Sequence, residues 1–141
     1  EKNTEEGEIK LDGVASGNVS KMLALGKTKL GNKYVWGAAG PNVFDCSGFV
    51  SWCAIKAGLM PPGSRITSGN MSSKYVHKVS WNDLRPGDIL HFRGNPGHVA
   101  FYAGNGKTLE CAGGNRKGSV KSLPLRGHGI YKNVYRFNKA G

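Results

Sequence analysis

Acidic residues are scarce in this 141-residue chain: nine Asp and Glu stand against 20 Lys and Arg, for a net charge of +11. After residue 26 the acids are Asp45, Asp83, Asp88 and Glu110 alone, set among 17 basic residues. A domain so short of negative charge suits an anionic partner (nucleic acid, anionic lipid or an anionic wall polymer), although basic charge also serves solubility alone. Long apolar runs are missing as well. None approaches the ~18–20 residues that cross a bilayer, which excludes a helical membrane span. Cysteine is rare, with Cys46, Cys53 and Cys111. An odd number cannot complete a disulfide framework, so at least one thiol is free, and the spacings do not make the paired Cys-x-x-Cys of a zinc ribbon. The 22 glycines follow no three-residue period, which excludes a collagen-like chain. The chain opens without an initiator methionine or a signal peptide, and is read as an excised or mature piece.

What is present describes one compact, turn-rich domain. Residues 1–16 are polar and without hydrophobic period, and are read as a linker or disordered tail, leaving 17–141 as the domain. Val19, Met22, Leu23 and Leu30 recur at helical spacing after Asn18, a candidate N-cap, and Gly31-Asn32 ends the pattern. Asp45 is a natural N-cap and Gly58 a natural stop. Between them Cys46, Phe49, Val50, Cys53 and Ala57 share one face, which predicts a buried helix over 46–57. Residues 59–87 are irregular and Ser-rich, with a short helix expected near 68–75. Strands are expected at 89–93, 98–103, 107–111, 119–123 and 130–137. Asn95-Pro96-Gly97 turns between the first two, and Asn105-Gly106 is a strong type I′ hairpin signal. Helices first and antiparallel strands after make the α+β pattern.

The chemistry centres on Cys46. A cysteine in the first turn of a helix meets the positive end of the macrodipole, which favours a thiolate. Gly48 beside it is read as leaving room for a substrate. On position alone a buried, inert thiol remains an equal alternative. Cys53, one heptad on, reads as core. A nucleophilic cysteine needs a base and a group to orient it. His77 and His128 lie in polar or Gly-rich stretches and read as surface, and His91 as a half-buried strand residue. His98 begins an apolar strand directly after a glycine, where its ring can face a cleft, although taken alone a satisfied strand histidine is the favoured reading. Strict pairing about Asn105-Gly106 sets Gly104 opposite Lys107 and puts His98 and Glu110 on opposite faces. A bulge or strong twist is needed to bring them together.

Several segments together resemble the NlpC-type family of bacterial cell-wall cysteine endopeptidases. They are Tyr34-Val35-Trp36-Gly37, Asp45-Cys46-Ser47-Gly48-Phe49-Val50, Leu84-Arg85-Pro86-Gly87-Asp88-Ile89-Leu90, and the run from Gly97-His98 to Asn105-Gly106. They keep the family's order and spacing over some 80 residues. The resemblance implies a papain-like α+β fold, with the nucleophile at a helix N-terminus packed on an antiparallel sheet. It implies Cys46 as nucleophile, His98 as general base and Glu110, twelve residues on, as the group that orients the imidazole. The family more often shows His, Asn or Gln there, and a solvated strand glutamate is the alternative. Tyr34 falls where the family places an active-site tyrosine, suited to an oxyanion. Asp45 and Ser47 match positions that hold the substrate's free amino group, beside the N-cap role of Asp45. Trp36 is expected on the cleft wall or in the core, and Trp52 and Trp81 in the core.

The implied reaction is hydrolysis of an amide in the stem peptide of peptidoglycan, from D-glutamate's γ-carboxyl to meso-diaminopimelate or lysine. No metal and no cofactor is implied. A muramoyl-L-alanine amidase, a cross-bridge endopeptidase and a non-catalytic wall-binding module are the alternatives. No motif supports nucleic-acid recognition. The expected partners are stem peptides and anionic wall polymers. The expected setting is extracellular or the cell wall, as a secreted or phage-borne domain of a larger protein, with a monomer as the default state.

Overall fold

The computed structural model describes residues 17–94 and 97–140. The expected tail at 1–16, and Asn95 and Pro96 of the expected turn, lie outside the described residues. Helix α1 spans Gly17–Lys27. Three of the four positions the helical spacing selected, Val19, Met22 and Leu23, are buried on it, together with Gly26. It ends earlier than expected. Lys29 and Leu30 make short i→i−3 bonds to Gly26 and Lys27 at 3.0 and 3.3 Å, which tighten the last turn and leave Leu30 49% exposed.

Helix α2 spans Cys46–Lys56, bounded by Asp45 as N-cap and Ala57 as C-cap. It is wrapped on nearly every side: Phe49, Val50, Cys53 and Ala54 are fully buried, and Ser47, Gly48 and Ser51 are buried with them. Such all-round burial is what a helix at the centre of the fold requires.

The short helix expected near 68–75 does not form. Thr67 and Asn70 exchange backbone hydrogen bonds at 3.1 and 3.0 Å, and Ser72 Oγ accepts from the Lys74 amide. Serine side chains that bond nearby backbone groups compete with a helix in this way. A strand that the sequence does not announce follows, β1 at Val76–Val79.

The remaining strands are β2 (Ile89–Phe92), β3 (His98–Gly104), β4 (Lys107–Ala112), β5 (Ser119–Pro124) and β6 (Tyr131–Phe137), with a four-residue helix α3 at Gly114–Lys117 between β4 and β5. All five expected strands are present, with bounds shifted by one residue at most. They form one antiparallel six-stranded sheet in the order β1-β6-β2-β3-β4-β5. Both helices pack on one face, α2 against β3 and β4 in particular.

Alternation along the strands divides the apolar residues between two clusters. Ile89, Val99, Phe101 and Leu109 join the helices in the main core, while Leu90, Tyr102, Tyr131 and Val134 form a smaller cluster. Trp52 and Trp81 are partly buried against the main and smaller clusters respectively, as expected of core residues. The corner before β2 is tied to β6 by buried Asp88, which accepts from Arg136 Nε at 2.8 Å and Nη2 at 2.9 Å and from the Arg85 amide at 2.9 Å. No helix among the described residues is long and apolar enough to cross a membrane.

The β3–β4 hairpin resolves the pairing problem raised by the sequence. Asn105 and Gly106 both take positive φ, 54° and 72°, as a type I′ turn requires. Gly104 pairs with Lys107 as expected, but the register then shifts, so that Tyr102 faces Thr108 and Phe101 faces Leu109. The extra residue, Ala103, is a bulge. Continued one step, the shifted register sets Glu110 beside Ala100, on the face that His98 shares.

Candidate active site

Cys46 is the first residue of α2 and remains partly exposed. Its place is set by Asp45. One carboxylate oxygen of Asp45 accepts from the Gly48 amide at 2.7 Å, the other from the Gly37 amide at 3.0 Å, and Arg65 Nη2 lies 2.7 Å from the first. The helix start, the loop before it and the segment after it thus meet on one buried carboxylate.

Gly48 is buried, not open to a substrate as expected. A Cβ at this position would lie 2.0 Å from the Ala38 carbonyl oxygen. That oxygen accepts from the Asp45 amide at 2.8 Å. The glycine therefore permits the loop to cross the helix, and the access it was read as providing is supplied elsewhere.

His98 opens β3 with its side chain 23% exposed, and its Nε2 lies 2.9 Å from Glu110 Oε1. On its other side the ring is near enough to the Cys46 sulfur for that group to act on its charge, and both border the same cleft. Burial opposes a charge on this imidazole. The interactions with Cys46 and with hydrogen-bonded Glu110 outweigh it, and lift the His98 pKa to about 9. Glu110 is 1% exposed. Burial raises its pKa, but hydrogen bonds from His98, Thr108 and Arg126 more than offset that and hold it below the ordinary carboxylate value. An ionised Glu110 accepts from Nε2–H and so leaves the other ring nitrogen toward the thiol side.

Tyr34 is held by its own amide, which donates to the Gly118 carbonyl at 2.9 Å, and by a bridge to Phe44. Burial first, then the charges of Cys46 and Asp45, raise its pKa, so its hydroxyl stays protonated and able to donate. Tyr34, Trp36, Asp45, Cys46, Arg65 and His98 border a cleft of about 600 Å³. Trp36 is 70% exposed and stands on the wall of that cleft. Ser47 borders it too, buried, with its hydroxyl 3.3 Å from Arg65 and 3.4 Å from Asp45.

The six residues singled out in the sequence, Cys46, His98, Glu110, Tyr34, Asp45 and Ser47, are thus gathered in one place, with Glu110 behind His98. His77 and His128 are exposed, as expected, whereas His91 is more deeply buried than expected. Cys53 and Cys111 are fully buried; burial pushes both thiols up, Cys111 to about 12. Among the described residues no group of three or more His, Cys, Asp or Glu is arranged to hold a metal ion.

Two arginines were missed. Arg65 comes from the irregular Ser-rich segment and Arg126 from the stretch after β5. The available signal was indirect: a buried acid in a chain this basic calls for a cation, but nothing local says which one.

The chain is 37% identical over 101 residues to a probable endopeptidase p60 of Listeria grayi, a match covering 69% of this chain and 19% of that protein. It is 35% identical over 104 residues to a probable endopeptidase of Corynebacterium glutamicum, covering 74% of this chain and 44% of that one. The chain therefore spans less than half the length of these curated relatives. Among solved structures it superposes on NlpC1 from Trichomonas vaginalis with a TM-score of 0.70 and 29% identity, over 92% of this chain and 47% of that one. It superposes on the peptidoglycan hydrolase RipB from Mycobacterium tuberculosis with a TM-score of 0.69 and 27% identity, over 84% and 64%. The helices on an antiparallel sheet are the papain-like α+β arrangement expected of these neighbours. The NlpC/P60 family model matches residues 31–138, a stretch that holds the thiol, the imidazole, the glutamate and both arginines, and the chain belongs to that family.

Proposed function

We propose that this chain is a cysteine endopeptidase domain that hydrolyses an amide in the stem peptide of peptidoglycan, at the bond from D-glutamate's γ-carboxyl to meso-diaminopimelate or lysine. The observation that carries the reading is the line from Cys46 through His98 to buried Glu110, laid along an open cleft at a helix N-terminus. The relatives' names as endopeptidases and the neighbour's as a peptidoglycan hydrolase support it.

In this mechanism the Cys46 sulfur attacks the carbonyl carbon. The Tyr34 hydroxyl and the Cys46 amide hold the oxyanion. His98 takes the proton of the Cys46 thiol and passes it to the leaving amine, then takes one from the water that releases the acyl-enzyme. Asp45 and Ser47, with Arg65 beside them, form the polar wall that receives the peptide's free amine. The net charge of +11 draws the domain toward anionic wall polymers. The setting that follows is the cell wall or the extracellular space.

Digestion of purified diaminopimelate-type and lysine-type peptidoglycan tests this, with products identified by mass. Fragments ending in γ-D-glutamate are expected. Cuts at the muramoyl-L-alanine bond or in the cross-bridge would keep the cysteine hydrolase and move the bond. Retention on the wall without any cut would replace the enzyme with a binding module.

The raised His98 pKa sets a pH dependence. A proton needed for the leaving amine is held up to about pH 9, so kcat should persist through neutrality and fall as pH rises through about 9. The same shift contributes stability below the ordinary value of 6.5, and that contribution is lost as pH climbs through about 9. An alkaline decline centred near the ordinary value would contradict the Cys46–His98–Glu110 coupling.

A further inference from the structure

We infer that Arg126 is a positioning residue for the His98 base, seating the Glu110 carboxylate so that Oε1 stays in line with the imidazole. The inference rests on the reading of Cys46 and His98 given above. Arg126 Nη2 lies 3.0 Å from each oxygen of Glu110, and Thr108 Oγ1 donates to Oε2. Oε1 thus faces His98 Nε2 on one side and Arg126 on the other.

The arginine is itself fixed. Its Nη1 donates to the Pro124 carbonyl at 3.2 Å, and its amide donates to the Tyr131 hydroxyl at 3.0 Å. Its guanidinium stands 4.8 Å from the centre of the Phe92 ring. That phenylalanine packs on His98 as well, with ring centres 4.7 Å apart. One side chain therefore supports both the cation and the base.

The groups around the glutamate come from several elements. His98 is on β3, Thr108 on β4 itself, and Lys121 stands opposite on β5. Arg126 and Tyr131 close the far side, and Cys46 of α2 reaches the cluster through His98. A carboxylate only 1% exposed would be driven toward its protonated form by burial. A protonated Glu110 could donate to the ring and lose its hold on the tautomer. A guanidinium is always charged, and its rigid plane limits how the carboxylate can turn.

The test compares Arg126→Gln, Arg126→Lys, Glu110→Gln and the double variant Arg126→Gln/Glu110→Gln. Two readouts are taken: steady-state cleavage of a stem-peptide substrate, and the rate of Cys46 alkylation by iodoacetamide across pH. Arg126→Gln should lower kcat about 10- to 100-fold, as small displacements of a reacting group do, with KM nearly unchanged. The acid-side decline of both rates should move to higher pH, because Glu110 loses a cation that held its pKa down. Arg126→Lys should recover part of the loss, since an ammonium keeps the charge without the plane. In the Glu110→Gln background Arg126→Gln should add less than about twofold.

A full loss from Arg126→Gln in that background would overturn the inference. So would an unchanged kcat and acid limb in the single variant. If wild type cuts no peptidoglycan, the functional reading fails, and the alkylation series still decides the role of Arg126. If Arg126→Gln does not fold, Arg126→Lys in the two Glu110 backgrounds makes the same comparison.

Discussion

Cys46→Ala is expected to lower stem-peptide cleavage at least about 10⁴-fold while leaving the fold in place. The two halves of this expectation have separate causes. The rate depends on a covalent bond that only the sulfur can form, and a water in its place lacks both the nucleophilicity and the alignment. The fold depends little on that sulfur, because Cys46 sits at the rim of α2, partly exposed, with the cap contributed by its neighbour Asp45.

The buried thiols should behave the other way. Cys53 and Cys111 are fully buried, Cys111 within 3.3 Å of the Phe44 carbonyl, so alanine at either position leaves a small void. A loss of about 1 kcal/mol with activity kept is expected there. Iodoacetamide should label one cysteine per folded chain, at Cys46, since burial keeps the other two thiols protonated. Cleavage by Cys46→Ala above about one hundredth of the wild-type rate would sink the assignment of the nucleophile.

Gly48→Ala should damage both stability and activity, although alanine is the better helix former. Propensity favours the substitution by about 1 kcal/mol. Against it, the new methyl would lie 2.0 Å from the Ala38 oxygen and 2.9 Å from Asp45 Oδ1. Neither neighbour can yield cheaply. Ala38 is fixed by the hydrogen bond its amide donates to the Val35 carbonyl at 3.0 Å and by the one its oxygen accepts from the Asp45 amide. Asp45 Oδ1 holds both the Gly48 amide and Arg65. Overpacking against backbone costs about 3 kcal/mol, which leaves a net loss of about 2. A Tm lower by roughly 5–10 °C follows. Activity should fall by more than the unfolded fraction explains, because relieving the clash shifts the first turn that carries Cys46. Gly129→Ala, which meets open space, is the control and should be neutral. An unchanged Tm and unchanged rate in Gly48→Ala would mean the loop crossing is soft, and that the cap does not set the thiol.

Much of the fold was legible because its signals are local. The 46–57 helix was readable from a capping side chain three residues from the amide it accepts, and from one apolar face. The Asn105-Gly106 hairpin was readable from two residues that tolerate positive φ. Where a signal was weak or opposed, the reading slipped. The helix expected near 68–75 lost to the backbone exchange between Thr67 and Asn70 and to Ser72, whose side chain accepts from the Lys74 amide. β1 has four residues and no alternation to announce it, and it exists because β6 offers an edge from Val134 to Phe137. Gly48 was taken for an opening because sequence shows only that a side chain is missing, not which backbone fills the space.

The site divides in the same way. The sequence by itself determined which residues carry reactive groups: the thiol at a helix start, a histidine at a strand start, a carboxylate among the only four acids after residue 26. It also determined the cap that places Cys46, since that contact spans only three residues. Only the tertiary structure decided that His98 meets Glu110. A single bulge at Ala103 changes the face on which every later side chain of β4 stands, and strict pairing predicts the opposite. The tertiary structure alone also chose Arg65 for Asp45 and Arg126 for Glu110, across 20 and 16 residues of chain. The physical reason is common to both. A buried carboxylate demands a cation, but that demand is non-directional along the sequence, and which of many basic residues answers it is settled by where the folded chain brings them.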